Sequence, residues 1–106
     1  MAYYLVTASP REDLLDELRD KLKRNAFVGL KPFGRALSSS LRRARKLPNG
    51  GAIWEEEDYC RPPLAAERAA VLDRYFDGLS TEEVVEGTGW ALIGALPAMF
   101  PELAGS

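Results

Sequence analysis

A chain of 106 residues, 46% hydrophobic and 28% charged, is long enough for one globular domain with its own core. It contains no histidine and a single cysteine. That composition removes Ser-His and Cys-His nucleophile pairs and an intramolecular disulfide, and effectively excludes a structural zinc site. A net charge of −2 argues against general nucleic-acid binding.

The overall charge conceals a segregation. From Lys21 to Trp54 there are nine basic residues and no acid, and Glu55 to Asp58 are four consecutive acids. Residues 61–106 carry three Arg against seven Asp and Glu. No run of about 20 apolar residues and no signal-peptide pattern is present, so the expectation is a cytoplasmic protein that does not enter a membrane.

In chain order, Tyr3 to Ala8 (YYLVTA) is aromatic and β-branched, which predicts a central first strand. Ser9, Pro10 and Glu12 read as a capping box with proline in the first turn. Leu14, Leu15, Leu18 and Leu22 then recur at helical spacing up to a stop at Asn25. Residues 26–40 are apolar positions punctuated by Gly29, Pro32 and Gly34, and predict a packed connector with one helical turn after Gly34.

Asn49-Gly50 is the dipeptide favoured by a type I′ turn, which predicts a hairpin. Its register sets Arg45 against Trp54, Arg43 against Glu56, Arg42 against Glu57 and Leu41 against Asp58. A competing reading makes 36–46 a helix, with Ala36, Leu37, Leu41 and Ala44 on its inner face. Pro62-Pro63 starts a second long helix, expected to reach Asp77 and stop at Gly78. Glu82 to Glu86 predicts a short fourth strand. Leu92, Ile93, Leu96, Met99, Phe100 and Leu103 predict a terminal helix broken by Pro97 and Pro101.

The order of these elements predicts a single α+β domain, 1–106. Its expected form is a ferredoxin-like sandwich with an antiparallel sheet, two main helices on one face and an added C-terminal helix.

Two groups of residues could carry chemistry. Glu56 and Asp58 share one strand face, with Tyr59 and Cys60 beside them, and could act as paired carboxylates for a divalent cation or for acid–base work. The plainer reading is a solvated face balanced by the arginines opposite. Arg35, Arg42 and Arg43, among the hydroxyls of Ser38 to Ser40, are suited to a small anionic ligand. A solvated basic face is the alternative, and G-R-A-L-S-S-S lacks the spacing and the lysine of a phosphate loop. Cys60 has no histidine to act as its base and reads as a small buried hydrophobe.

The segment ERAAVLDRYFDGLSTEEVVEGTGW resembles a helix-turn-helix of the sigma-factor or response-regulator type. That resemblance implies a short Ser/Thr-Glu-Glu helix and a recognition helix beyond the Thr-Gly turn. Residues 91–103, in the recognition position, contain no Arg, Lys, Asn or Gln to reach bases.

The sequence therefore predicts a non-enzymatic domain that forms a homodimer and binds a small anionic or protein partner, with no cofactor and no metal. The alternative is a small enzyme with a pocket of Arg43, Glu56, Asp58 and Tyr59. Nucleic-acid binding through residues 31–46 ranks last.

Overall fold

A computed structural model describes residues 2–105. Four antiparallel strands form one sheet, β1 (Ala2–Pro10), β2 (Arg45–Lys46), β3 (Ala52–Asp58) and β4 (Phe76–Val84), in the order β2-β3-β1-β4. The helices are α1 (Leu15–Lys23), α2 (Gly34–Arg42), α3 (Ala65–Glu67), α4 (Asp73–Tyr75), α5 (Thr88–Ile93) and α6 (Pro101–Ala104). A π turn, Arg68–Leu72, joins α3 to α4, so that 65–75 is one continuous helical run.

Strand alternation divides the side chains between two faces. Val6, Ala8, Ala52 and Trp54 point to the main core, where they meet Leu18 and Leu22 of α1, Leu37 and Leu41 of α2, and Val71, Leu72 and Tyr75 of the 65–75 run. Trp54 packs on Phe76 with ring centroids 5.1 Å apart. On the opposite face Leu5 and Ile53 pack against Ile93, with Trp90 and Leu96 beside them. The C-terminal segment links the two clusters around the outside of β2. Lys46 N–H donates to Pro97 O, Met99 N–H to Ala44 O, and Arg45 Nη1 to Leu96 O. Met99, Phe100 and Leu103 then enter the main core.

Several sequence expectations are corrected. Asn49-Gly50 does not form the type I′ turn: only Gly50, at φ +88°, is left-handed, Gly50 N–H donates to Leu47 O so that the turn centres on Pro48–Asn49, and Leu47 N–H donates to Gly51 O. This is a type I turn closed by a glycine bulge, which moves the register by one residue. Arg45 therefore faces Ile53 and Lys46 faces Ala52. Residues 36–42 are helical, so the pairs Arg43–Glu56 and Arg42–Glu57 do not form a ladder. The amphipathic spacing of Leu37 and Leu41 prevails because α2 buries both against the main core.

Ser9 and Pro10 extend β1 instead of capping a helix, since Pro10 pairs with Phe76 and Ser9 with Asp77. The second long helix stops at Tyr75, two residues short of Asp77. Tyr75 O accepts the Arg11 N–H, and Phe76 continues directly into the sheet. Gly78, at φ +61°, is a bulge residue within β4, beside the register shift between Thr7 and Ser9. The Glu82–Glu86 strand is the end of this longer β4, which stops at Val84. With residues 76–84 in a strand, the helix-turn-helix resemblance does not extend to the structure. The terminal helix is two short ones, α5 and α6, separated at the prolines.

Candidate functional site

β2 has only two residues, so β3 runs on beyond it, and α2 lies alongside β3 there. The acidic end of β3 is consequently inside the protein. Glu55, Glu56 and Asp58 are 3%, 1% and 3% exposed. This overturns the expectation of a solvated face balanced by Arg42 and Arg43.

The three buried acids have different surroundings. Glu55 points to the second face and caps the start of α5, accepting N–H groups of Gly87 (2.9 Å), Gly89 (2.8 Å) and Trp90 (3.3 Å). A Cβ on Gly89 would lie 2.8 Å from Glu55 Oε1, so glycine there permits the approach. Glu56 and Asp58 point to the main-helix face. Glu56 Oε1 accepts the Trp54 Nε1–H at 2.8 Å, and its Oε2 has no hydrogen-bond partner. Burial raises the Glu56 pKa to about 8; the Trp54 hydrogen bond opposes this, and the charges of Glu67 and Asp58 add to it.

Glu67 was not expected from sequence to belong to a site. It stands in α3, is fully buried, and its Oε2 lacks a partner. Oxygen atoms of Asp58 and Glu67 and the Cys60 sulfur lie within 4.8 Å of one another. Glu67 Oε1 is 3.8 Å from Cys60 Sγ. Burial raises the Glu67 carboxyl, and its hydrogen bond with Asp58 acts in the same direction. Asp58 is also buried, but the Leu64 N–H at 2.5 Å and further hydrogen bonds from Glu67, Cys60 and Tyr59 hold it below the ordinary carboxylate value. The Ala66 N–H favours the Cys60 thiolate, but burial and the charges of Asp58 and Glu67 outweigh it and keep the thiol raised. Among the described residues no Lys or Arg is ion-paired with Glu56, Asp58 or Glu67.

A cavity of about 360 Å³ adjoins this cluster, between Pro32, Phe33 and Ala36 on one side and Asp58, Tyr59, Cys60 and Glu67 on the other. A second recess, about 610 Å³, reaches Asp58, Tyr59 and Cys60 from the side of Tyr4 and Arg61. Tyr59 is largely exposed, and its hydroxyl donates to Glu57 Oε1 at 3.1 Å.

Comparison with protein-family models, with curated proteins and with solved structures finds no match to this chain.

Of the sequence-predicted site residues, Asp58 and Tyr59 line the 360 Å³ cavity, and Glu56 lies behind them beneath Trp54. The three arginines do not converge. Arg42 Nη2 donates to Leu22 O (2.8 Å) and Asn25 Oδ1 (3.3 Å), tying the end of α2 to the end of α1. The Arg43 guanidinium lies 4.2 Å from the centre of the Trp90 ring, towards the second face, and Arg35 is exposed. The charge pattern pointed to these arginines because it carries no information on which side chains the fold uses as struts.

Proposed function

We propose that this chain is a ligand-binding domain whose site is the cavity walled by Asp58, Tyr59, Cys60 and Glu67, and that its ligand is cationic. The observation that carries the reading is the buried Glu67 Oε2, which has no partner although it stands beside Asp58 and Cys60. An unsatisfied buried carboxylate oxygen costs about 1–3 kcal/mol or more. A positively charged or donor-rich ligand removes that cost and offsets the clustered acids.

The test is a thermal-shift panel of inorganic divalent cations, methylammonium, guanidinium and spermidine on the wild-type protein and on Glu67→Gln. A ligand present at 100 times its Kd stabilises by about 2.7 kcal/mol, and for a domain of this size that is a shift of roughly 10 °C or more. A hit is expected on the wild type and a smaller shift on the variant. No hit from any cation, or equal shifts for both proteins, rejects the reading.

The fold class is α+β with a four-stranded antiparallel sheet. Read from its other edge, the strand order is β4-β1-β3-β2, with helical segments between β1 and β2 and between β3 and β4. That order supports the finer reading of a ferredoxin-like sandwich, with α2 added alongside β3.

A homodimer is supported by one feature of the sheet. β4 is an edge strand of nine residues, and Val85 just beyond it is 74% exposed. Such an edge is available for pairing with a second copy. Sedimentation velocity should show concentration-dependent association, and a monomer at every concentration rejects the dimer.

A further inference from the structure

We infer that the cation of this site is a divalent metal of borderline softness, of the zinc class, bound by Asp58, Cys60 and Glu67. The inference rests on the ligand-binding reading of the cavity and specifies its ligand.

The donors come from the end of β3, the loop after it and the start of the 65–75 helical run. Asp58 ends β3, Cys60 follows it by two residues, and Glu67 stands in the first turn of the 65–75 helical run. The intervening loop is pinned by the Leu64 N–H on Asp58 Oδ2. With metal–sulfur and metal–oxygen bonds of about 2.3 Å and 2.1 Å, two ligands of one tetrahedral ion lie about 3.6 Å apart. The Cys60 Sγ to Glu67 Oε1 distance is already 3.8 Å. All three donor atoms lie within 4.8 Å, two on buried side chains and one on the half-buried Cys60, a set that small rotations can close around one ion.

The second, independent observation is the partnerless Oε2 of fully buried Glu67. Asp58 is largely satisfied by backbone N–H groups, and Glu67 Oε1 faces the Cys60 thiol, whereas Glu67 Oε2 accepts no hydrogen bond from the protein. Glu56, one step back along the same strand face, adds a second carboxylate oxygen without a partner.

The donor set selects the metal. Two carboxylates alone suit calcium or magnesium, but those ions seek six or more oxygens and do not favour sulfur. A thiolate with two carboxylates suits zinc, cobalt or iron(II). Binding releases the thiol proton of Cys60, and any proton shared by the carboxyls, to solvent. Three protein donors leave a fourth position, as in sites that present a metal-bound water. Because the three residues all line the 360 Å³ cavity, that position is available to water or to a small molecule entering it.

Cobalt(II) is the probe, since a cobalt–thiolate bond gives a near-ultraviolet charge-transfer absorption that carboxylate binding does not. Titration of the metal-free full chain should saturate at a single equivalent, develop that absorption, release protons in weak buffer, and be reversed by zinc. Cys60→Ser should abolish the absorption. Glu67→Gln should retain the fold by circular dichroism and weaken cobalt binding by more than about tenfold, the loss that even an outer-shell change can bring.

Cobalt binding to Cys60→Ser with unchanged affinity overturns the assignment of the thiolate. Calcium binding as tightly as cobalt or zinc overturns the selection of a borderline metal. Stabilisation by spermidine or guanidinium but by no divalent ion rejects the metal and leaves the cationic-ligand reading in place. If neither organic cations nor metals bind, both readings fall.

Discussion

Glu56→Gln isolates the energetic consequence of the buried acids. The Gln side chain keeps an oxygen for the Trp54 Nε1–H and removes the ionisation. In the wild type the carboxyl titrates at about 8 in the folded protein against 4.5 ordinarily, chiefly because it is buried and also because Glu67 and Asp58 face it. A folded pKa above the unfolded one favours the protonated form. The stability it supports is full below pH 4.5 and declines as pH rises, and the loss is complete above about 8. At 1.36 kcal/mol for each pH unit in the steep part of this range, folding at pH 7 carries a penalty of about 3 kcal/mol.

The amide group of the variant meets its own packing cost, but that cost does not change with pH and cancels in a pH series. The variant should therefore gain stability over the wild type by about 3 kcal/mol between pH 5 and pH 8. Urea denaturation at pH 5, 6, 7 and 8 in the presence of a chelator measures the difference directly. Parallel stability curves for the two proteins would refute the argument, because Glu56 would then ionise as freely when folded as when unfolded.

Three further outcomes follow from local geometry. Gly34→Ala should destabilise by about 1–3 kcal/mol, because a Cβ there would stand 2.2 Å from Phe27 O and 2.8 Å from Val28 O; an unchanged denaturation midpoint would contradict this packing. Gly50→Val should cost about 1–2 kcal/mol at the left-handed turn position, whereas Asn49→Ala removes only the Gly51 N–H to Oδ1 hydrogen bond. Equal effects of the two substitutions would favour the type I′ turn after all. Glu17 is held down to about 2 by hydrogen bonds from Arg74 and then Tyr75. Its contribution is present above about pH 4.5 and is lost as pH falls through 2, so Glu17→Gln should flatten the acid limb of the stability curve, and an unaltered limb would exclude the interaction.

Much of the sheet was legible because strand signals are local. YYLVTA predicts a central strand, and β1 lies between β3 and β4. The leucine spacing of α1 places Leu18 and Leu22 in the core as expected. Asn25 is left-handed at the end of that helix, as a stop requires. The site was legible only in part. Asp58, Tyr59 and Glu56 follow from the acidic run, but Glu67 lies in an alanine-rich helix whose pattern gives no sign of a buried acid. The register failed through one residue of turn chemistry, since Pro48 and Gly50 together favour the three-residue loop over the Asn-Gly turn. That shift, with α2 in place of a long strand, also explains why Glu56 and Asp58 are enclosed and not paired with arginines. The β4 boundary was missed because Arg11 and Phe76, far apart in sequence, decide where the helix stops.

The shortness of β2 has a consequence for how such a pocket could arise or vanish. A sheet edge that lacks most of one strand is a gap in the backbone lattice, and here α2 fills the gap only partly, with the cavity as the remainder. Insertion of a few residues before Arg45 could let a longer strand zip along β3 and displace α2. That event would erase the cavity while leaving every donor side chain unchanged. In this architecture connection length decides whether the cavity exists, and Asp58, Cys60 and Glu67 separately decide the chemistry of its lining.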